Sequence, residues 1–420
     1  MPQNSTILSS RILRLSESLN SGDKYSIEVF WQEIENSRTP IIEKIENNED
    51  HSLVTFIWRG GTDLSNVHVI CAYINDSGEM FRLGDTDLWF ASYIFPNDIS
   101  TAYLFMLNDI GEPVTADNFV ARVKAGLFPS DPYNPDNLLG GNTSFPQESL
   151  LAMPFAAEEP WIGNKSNPPH GKTEKMQLRS EILDQDRILW VYIPPSYSLS
   201  SGKYPWLIML DGGAYVDLGV PIILDNLIAA RKIPPCMAFF VESFSHGTRH
   251  IESSCNPDFA RFLAEEAVPW LDQRYQISSI PEQVMIGGDS YTGLSATFAA
   301  FRYPQIFGNV LAQSSPYFWF QGMDREPDPG EDQDSDWLIR KFENSVRLPL
   351  RFHLEAGSLE TGVDPTNKAQ TSILNSNRHM RDILKAKGYE VDYVEANGGH
   401  DFANWRRSLP RAIIFLANRE

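Results

Sequence analysis

The chain has 420 residues, with 35 Lys and Arg against 55 Asp and Glu, a formal net charge of −20. At about 100–200 residues per domain that length implies two domains, and the acid excess argues against nucleic acid or an anionic membrane surface as main partner. Cys71, Cys236 and Cys255 have no C-x-x-C spacing, Met1–Leu19 lacks a signal-peptide core, and no run nears the roughly 20 apolar residues of a membrane span, so a cytoplasmic protein without a cysteine zinc site is expected.

Residues 1–30 read as a polar leader with one short amphipathic helix, ILSSRILRLSESL. From Ser52 the runs SLVTFIWRG, NVHVICAYI, LWFASYIF and TAYLFMLND alternate with GGTD, NDSGE and PNDIS. Short β-branched and aromatic runs separated by turn residues predict a small antiparallel β-sandwich, assigned with its leader to residues 1–150. Residues 151–175 are rich in Pro and Gly and read as a surface linker. From 176 to 420 the pattern is strand then helix in alternation, which predicts a mostly parallel sheet with helices on both faces. Asp324–Asp336 (DREPDPGEDQDSD) reads as an acidic loop inserted into this part.

Charge is uneven along the chain. Residues 1–150 hold 9 basic and 21 acidic residues, and Asp324–Asp336 holds 1 and 7. The rest of the chain keeps 25 basic against 27 acidic, so an anionic ligand there is not excluded.

The sharpest chemical motif is Val284-Met285-Ile286-Gly287-Gly288-Asp289-Ser290-Tyr291-Thr292-Gly293. An apolar strand running through small residues into a helix is the setting of a nucleophile elbow, with Ser290 at the turn. Thr292 stands where G-x-S-x-G has its second glycine. Asn397-Gly398-Gly399-His400-Asp401 follows the last predicted strand, so His400 is the candidate base, in the chain order of serine hydrolases. The acid must come after the strand LRFHLEAG. Glu360 is preferred and Asp364 is the alternative. An oxyanion hole needs the N–H of Tyr291 and one from a glycine-rich loop after an earlier strand, here Gly213 in LDGGA. His246 and His250 are the one H-x-x-x-H pair, with no H-E-x-x-H and no Cys-based ligand spacing beside it, and neither a metal site nor a cofactor is expected.

The segments LDGGAY, RHIESSCNPDF, GGDSYTGLSATFAAFRYPQIFGNVLAQSSPYFW, LEAGSLE and GGHDFANWR resemble the iron–enterobactin (enterochelin) esterases, within the esterase D-like α/β-hydrolases. The resemblance covers about Tyr204 to Trp405, with a weaker likeness in the N-terminal half. It implies an α/β-hydrolase domain and a serine esterase cutting a ferric catecholate trilactone siderophore, with iron as part of the substrate. It also implies substrate contacts at Arg249, Glu252, Asn256 and Trp405. A general carboxylesterase for acyl sugars or feruloyl esters, and a non-catalytic siderophore binder, are the alternatives.

Overall fold

The structure is a computed structural model. It describes residues 9–418 except 75–76, 113–115, 144, 164–167, 201, 244–248, 324–331 and 363–371. Asp364 therefore lies outside the described residues. By internal contacts the chain forms two units, one of residues 1–140, 145–158 and 401–403, the other of 141–144, 159–400 and 404–420.

The first unit contains two small antiparallel sheets. The four-stranded sheet runs Ile41–Ile45, Asn48–Arg59, Leu88–Pro96, Phe81–Arg82, and the three-stranded one Val67–Cys71, Ser100–Leu107, Ser149–Ala152. Val54, Phe56 and Phe95 from one sheet and Val69, Tyr103 and Phe105 from the other share one core. Alternation supplies these inward residues, as a sandwich requires. Two helices stand where the leader was expected to hold one. Ser10–Asn20 and Ser26–Glu35 are helices that bury Ile12, Leu15, Phe30, Trp31 and Ile34 in a second core. Apolar residues three to four apart give a helix a buried stripe even when its composition is polar.

The second unit is built on an eight-stranded sheet: β1 Lys172–Ser180, β2 Gln185–Ile193, β3 Trp206–Leu210, β4 Met237–Val241, β5 Val284–Asp289, β6 Asn309–Gln313, β7 Arg351–Gly357 and β8 Glu390–Ala396. Their spatial order is β8-β7-β6-β5-β3-β4-β2-β1. β2 runs antiparallel to β1 and β4, and β4, β3 and β5 to β8 are parallel. This is the α/β-hydrolase arrangement. β3, WLIML, and β4, MAFFV, are buried at every position. Such unbroken apolar runs mark strands covered on both faces. The helices that bear on the site are α1 Gly212–Asp217, α2 Arg249–Glu252, α3 Pro257–Arg261, α4 Ser290–Arg302, α5 Trp337–Asn344 and α6 Phe402–Ala417. Within the segment expected as a linker, Gly171 N–H donates to buried Asp225 at 2.8 Å, which anchors the chain just before β1. No helix among the described residues is long and apolar enough to cross a membrane.

Candidate active site

The parallel strands end on one edge of the sheet, where open α/β sheets bind ligands. β5 ends at Asp289 and α4 begins at Ser290, which has φ +51°. A left-handed backbone at a residue with a side chain costs about 1–2 kcal/mol and marks a functional turn. Two glycines make the turn possible. A Cβ on Gly288 would meet the Thr292 backbone carbon at 2.7 Å, and one on Gly293 would meet Ser315 Oγ at 2.3 Å. The close approach thus falls on Gly293 rather than on position 292. Thr292 turns its hydroxyl back onto the elbow, where Oγ1 accepts from Asp289 N–H at 3.1 Å.

Ser290, His400 and Glu360 form a hydrogen-bonded row. His400 Nε2 is 3.0 Å from Ser290 Oγ, and His400 Nδ1 is 2.5 Å from Glu360 Oε1. Glu360 Oε2 accepts from Gly357 N–H at 2.5 Å and from Ser314 Oγ at 2.8 Å. Trp405 Nε1 donates to Ser314 Oγ at 2.9 Å, and its ring meets the His400 ring edge-on, with centroids 4.9 Å apart. Trp405 is buried and supports the row from behind. Ser314 was not anticipated from sequence. It lies in QSSPYFW, just past β6, and polar residues at a parallel strand's carboxyl end were the available signal.

A second network lies under the elbow. Arg249 Nε is 2.9 Å from both Asp211 oxygens, and its guanidinium is 3.9 Å from Asp289. Asp211 Oδ2 is 3.1 Å from Thr292 Oγ1. Burial, then the neighbouring Asp211 charge, push the Asp289 carboxyl up to about 7, with Arg249 opposing. Burial works against the Arg249 charge, but Asp211 and Asp289 outweigh it and hold its pKa above the ordinary value.

The other residues expected at the site have partners within the fold. Arg249 spends its charge on Asp211 in a half-closed setting, with 15% of its side chain exposed. Glu252 is buried and bonded to Arg187 Nη1 at 2.9 and 2.8 Å, an ion pair across 65 residues of sequence. Asn256 Oδ1 caps α3, accepting from the N–H groups of Asp258 and Phe259. Gly213 N–H donates to buried Glu242 Oε2 at 2.8 Å, so this conformation does not offer it to an oxyanion. These pairings share one cause: a buried charge or N–H takes whichever partner the fold brings near. Tyr291 is in the first turn of α4, where N–H groups have no intrahelical acceptor. Among the described residues no group of three His, Cys, Asp or Glu side chains could hold a metal ion.

The fold is that of an α/β-hydrolase, and the row Ser290–His400–Glu360 stands at the carboxyl ends of its parallel strands. The model of the "Putative esterase" family matches residues 180–416, more than half of the chain, and that of "Enterochelin esterase, N-terminal" matches residues 53–162. The chain belongs to the putative esterase family and is a carboxylic ester hydrolase. It is 27% identical over 425 residues to the iron(III) enterobactin esterase of Dickeya dadantii (strain 3937), spanning 93% of each chain. It is 26% identical to the iron(III) salmochelin esterase of Escherichia coli O6:H1, spanning 97% of this chain and 98% of that one. A crystal structure of the Shigella flexneri enterobactin esterase in the presence of enterobactin matches the fold with a TM-score of 0.72 at 24% identity, covering 93% of this chain and 97% of that one.

Proposed function

We propose that this chain hydrolyses the ester bonds of a ferric catecholate trilactone siderophore, of the enterobactin type, in the cytoplasm. Opening the ring would loosen the iron cage, with iron entering and leaving as part of the substrate. The row Ser290–His400–Glu360 carries the reading. Near full-length likeness to iron(III) enterobactin and salmochelin esterases supports the substrate class.

In this mechanism His400 Nε2 takes the Ser290 proton as Oγ attacks an ester carbonyl. The tetrahedral oxyanion collapses, the ester C–O bond breaks, and His400 gives the proton to the leaving alkoxide. Water then attacks the acyl-serine with His400 again as base, releasing the acid and restoring Ser290. Glu360 fixes the ring orientation through Nδ1–H and stabilises the imidazolium. Tyr291 N–H donates to the oxyanion, and Gly213 joins it when Glu242 gives up its hydrogen bond. Arg249 and Glu252 act through architecture. The cytoplasmic setting is supported by Cys71, Cys236 and Cys255, buried thiols that form no disulfide.

The test is incubation with ferric and iron-free trilactone catecholates, with products resolved by mass. Linear products, each heavier by one water per bond cut, are expected from the wild type and none from Ser290→Ala. An unchanged siderophore beside rapid turnover of acyl sugars would overturn the substrate.

A further inference from the structure

We propose that the hydrolase unit carries a second small-molecule site, on the flank of α4 remote from Ser290, for a single aromatic ring bearing a negative charge. A cavity of about 310 Å³ opens between the later turns of α4, the α2–α3 turn and the chain after β6. Phe298 and Arg302 line it, eight and twelve residues beyond Ser290 on the same helix. At 1.5 Å per residue they lie about 12 and 18 Å along the axis from the nucleophile.

Three of the lining side chains are aromatic, and two of them form a right-angled corner. The Trp319 and Trp337 rings meet at 89° with centroids 5.8 Å apart, and Phe298 stands 5.9 Å from Trp337. All three belong to the main core, so their orientation is held by packing. A flat ring entering the corner stacks on one indole and presents its edge to the other, the two arrangements aromatic pairs favour. The volume suits a ring with short substituents and sits at the small end of ligand pockets.

Charge at the mouth completes the site. Arg302 is exposed, leans on the Phe298 ring at 6.0 Å, and has no ion-pair partner among the described residues. Its fork of N–H donors suits a carboxylate or phenolate oxygen on the ring. Ser254 and Asn256 form the facing rim. An aliphatic acid would leave the aromatic corner poorly filled, and a neutral arene would leave Arg302 unused. The charged ring is either a free aromatic acid or an aryl arm of an ester held at Ser290. The inference does not rest on the siderophore reading.

The test uses the full chain with Ser290→Ala, titrated with salicylate, benzamide and cyclohexanecarboxylate and followed by ligand-detected NMR. Salicylate should bind saturably, at least about fivefold tighter than either control. Arg302→Gln should weaken salicylate about five- to tenfold, and Arg302→Lys should restore most of that loss. Ser254→Phe, which fills the cavity, should abolish binding while circular dichroism and the melting temperature stay near those of the parent. Equal binding of all three ligands, or indifference to both Arg302→Gln and Ser254→Phe, overturns the proposal. On the Ser290-competent background, a rise in KM confined to aryl esters with Ser254→Phe identifies an ester arm as occupant. Relief of inhibition by salicylate with unchanged KM identifies the free acid. Because binding is read without turnover, its failure leaves the ester hydrolase reading intact.

Discussion

Two buried networks meet at Ser290 and treat charge in opposite ways. On the acid–base side, Glu360 is closed in by three donors, Gly357 N–H, Ser314 Oγ and His400 Nδ1. On the elbow side, Asp211 and Asp289 share one guanidinium, Arg249, and Asp289 Oδ1 is buried without a hydrogen bond. A fully satisfied network fixes one geometry. A network with an excess carboxylate favours proton uptake, and burial followed by the Asp211 charge pushes the Asp289 carboxyl up to about 7. One side holds the His400 ring between Glu360 and Ser290, and the other ties the elbow to the loop between β3 and α1.

The largest test of that contrast is Glu360→Gln, which keeps the shape and removes the charge. kcat on a simple ester should fall about 10³–10⁴-fold. A fall of less than tenfold would mean that another group holds His400. Next is Arg249→Leu, which leaves two buried carboxylates without their cation. Urea unfolding at pH 7 should show a loss of about 3–5 kcal/mol. A neutral result would make the pairing with Asp211 incidental.

Thr292→Val keeps volume but deletes the hydroxyl that caps the elbow and touches Asp211. kcat should drop about tenfold with KM within about twofold, and Thr292→Ser should recover most of it. A valine variant with wild-type kcat would sink the clamp.

The smallest effect lies in the other unit, at Glu148. Burial, then Asp401, push the Glu148 carboxyl up to about 8 from 4.5. Between those two pH values the folded chain keeps a proton that the unfolded chain has lost. Stability therefore falls as pH rises across the window and levels off above it. Glu148→Gln should shrink the difference in urea midpoint between pH 5 and pH 8.5, with Asp289 supplying part of the remainder. An unchanged difference would remove Glu148 from the account.

What the sequence determined by itself was local. The run VMIGGDS into a helix, the glycines before His400, and the strand before Glu360 are each written in about ten contiguous residues. Strand, turn and helix signals act at that range, so the hydrolase sheet and the three members of the row were legible. The departure at Thr292 was legible too, but its reason, the approach of Ser315 to Gly293, was not. The two N-terminal helices were half seen: the sequence reading found the first, and only the packed sheet reveals what the second covers.

The tertiary structure alone decided how charge is paired. Arg249 finds Asp211 from 38 residues away, Glu252 finds Arg187 from 65, and Gly213 N–H finds Glu242 from 29. No periodicity encodes such matches. A buried charge or N–H must be satisfied by what the fold places beside it, so the partner is a property of the folded chain and not of the segment that carries the residue.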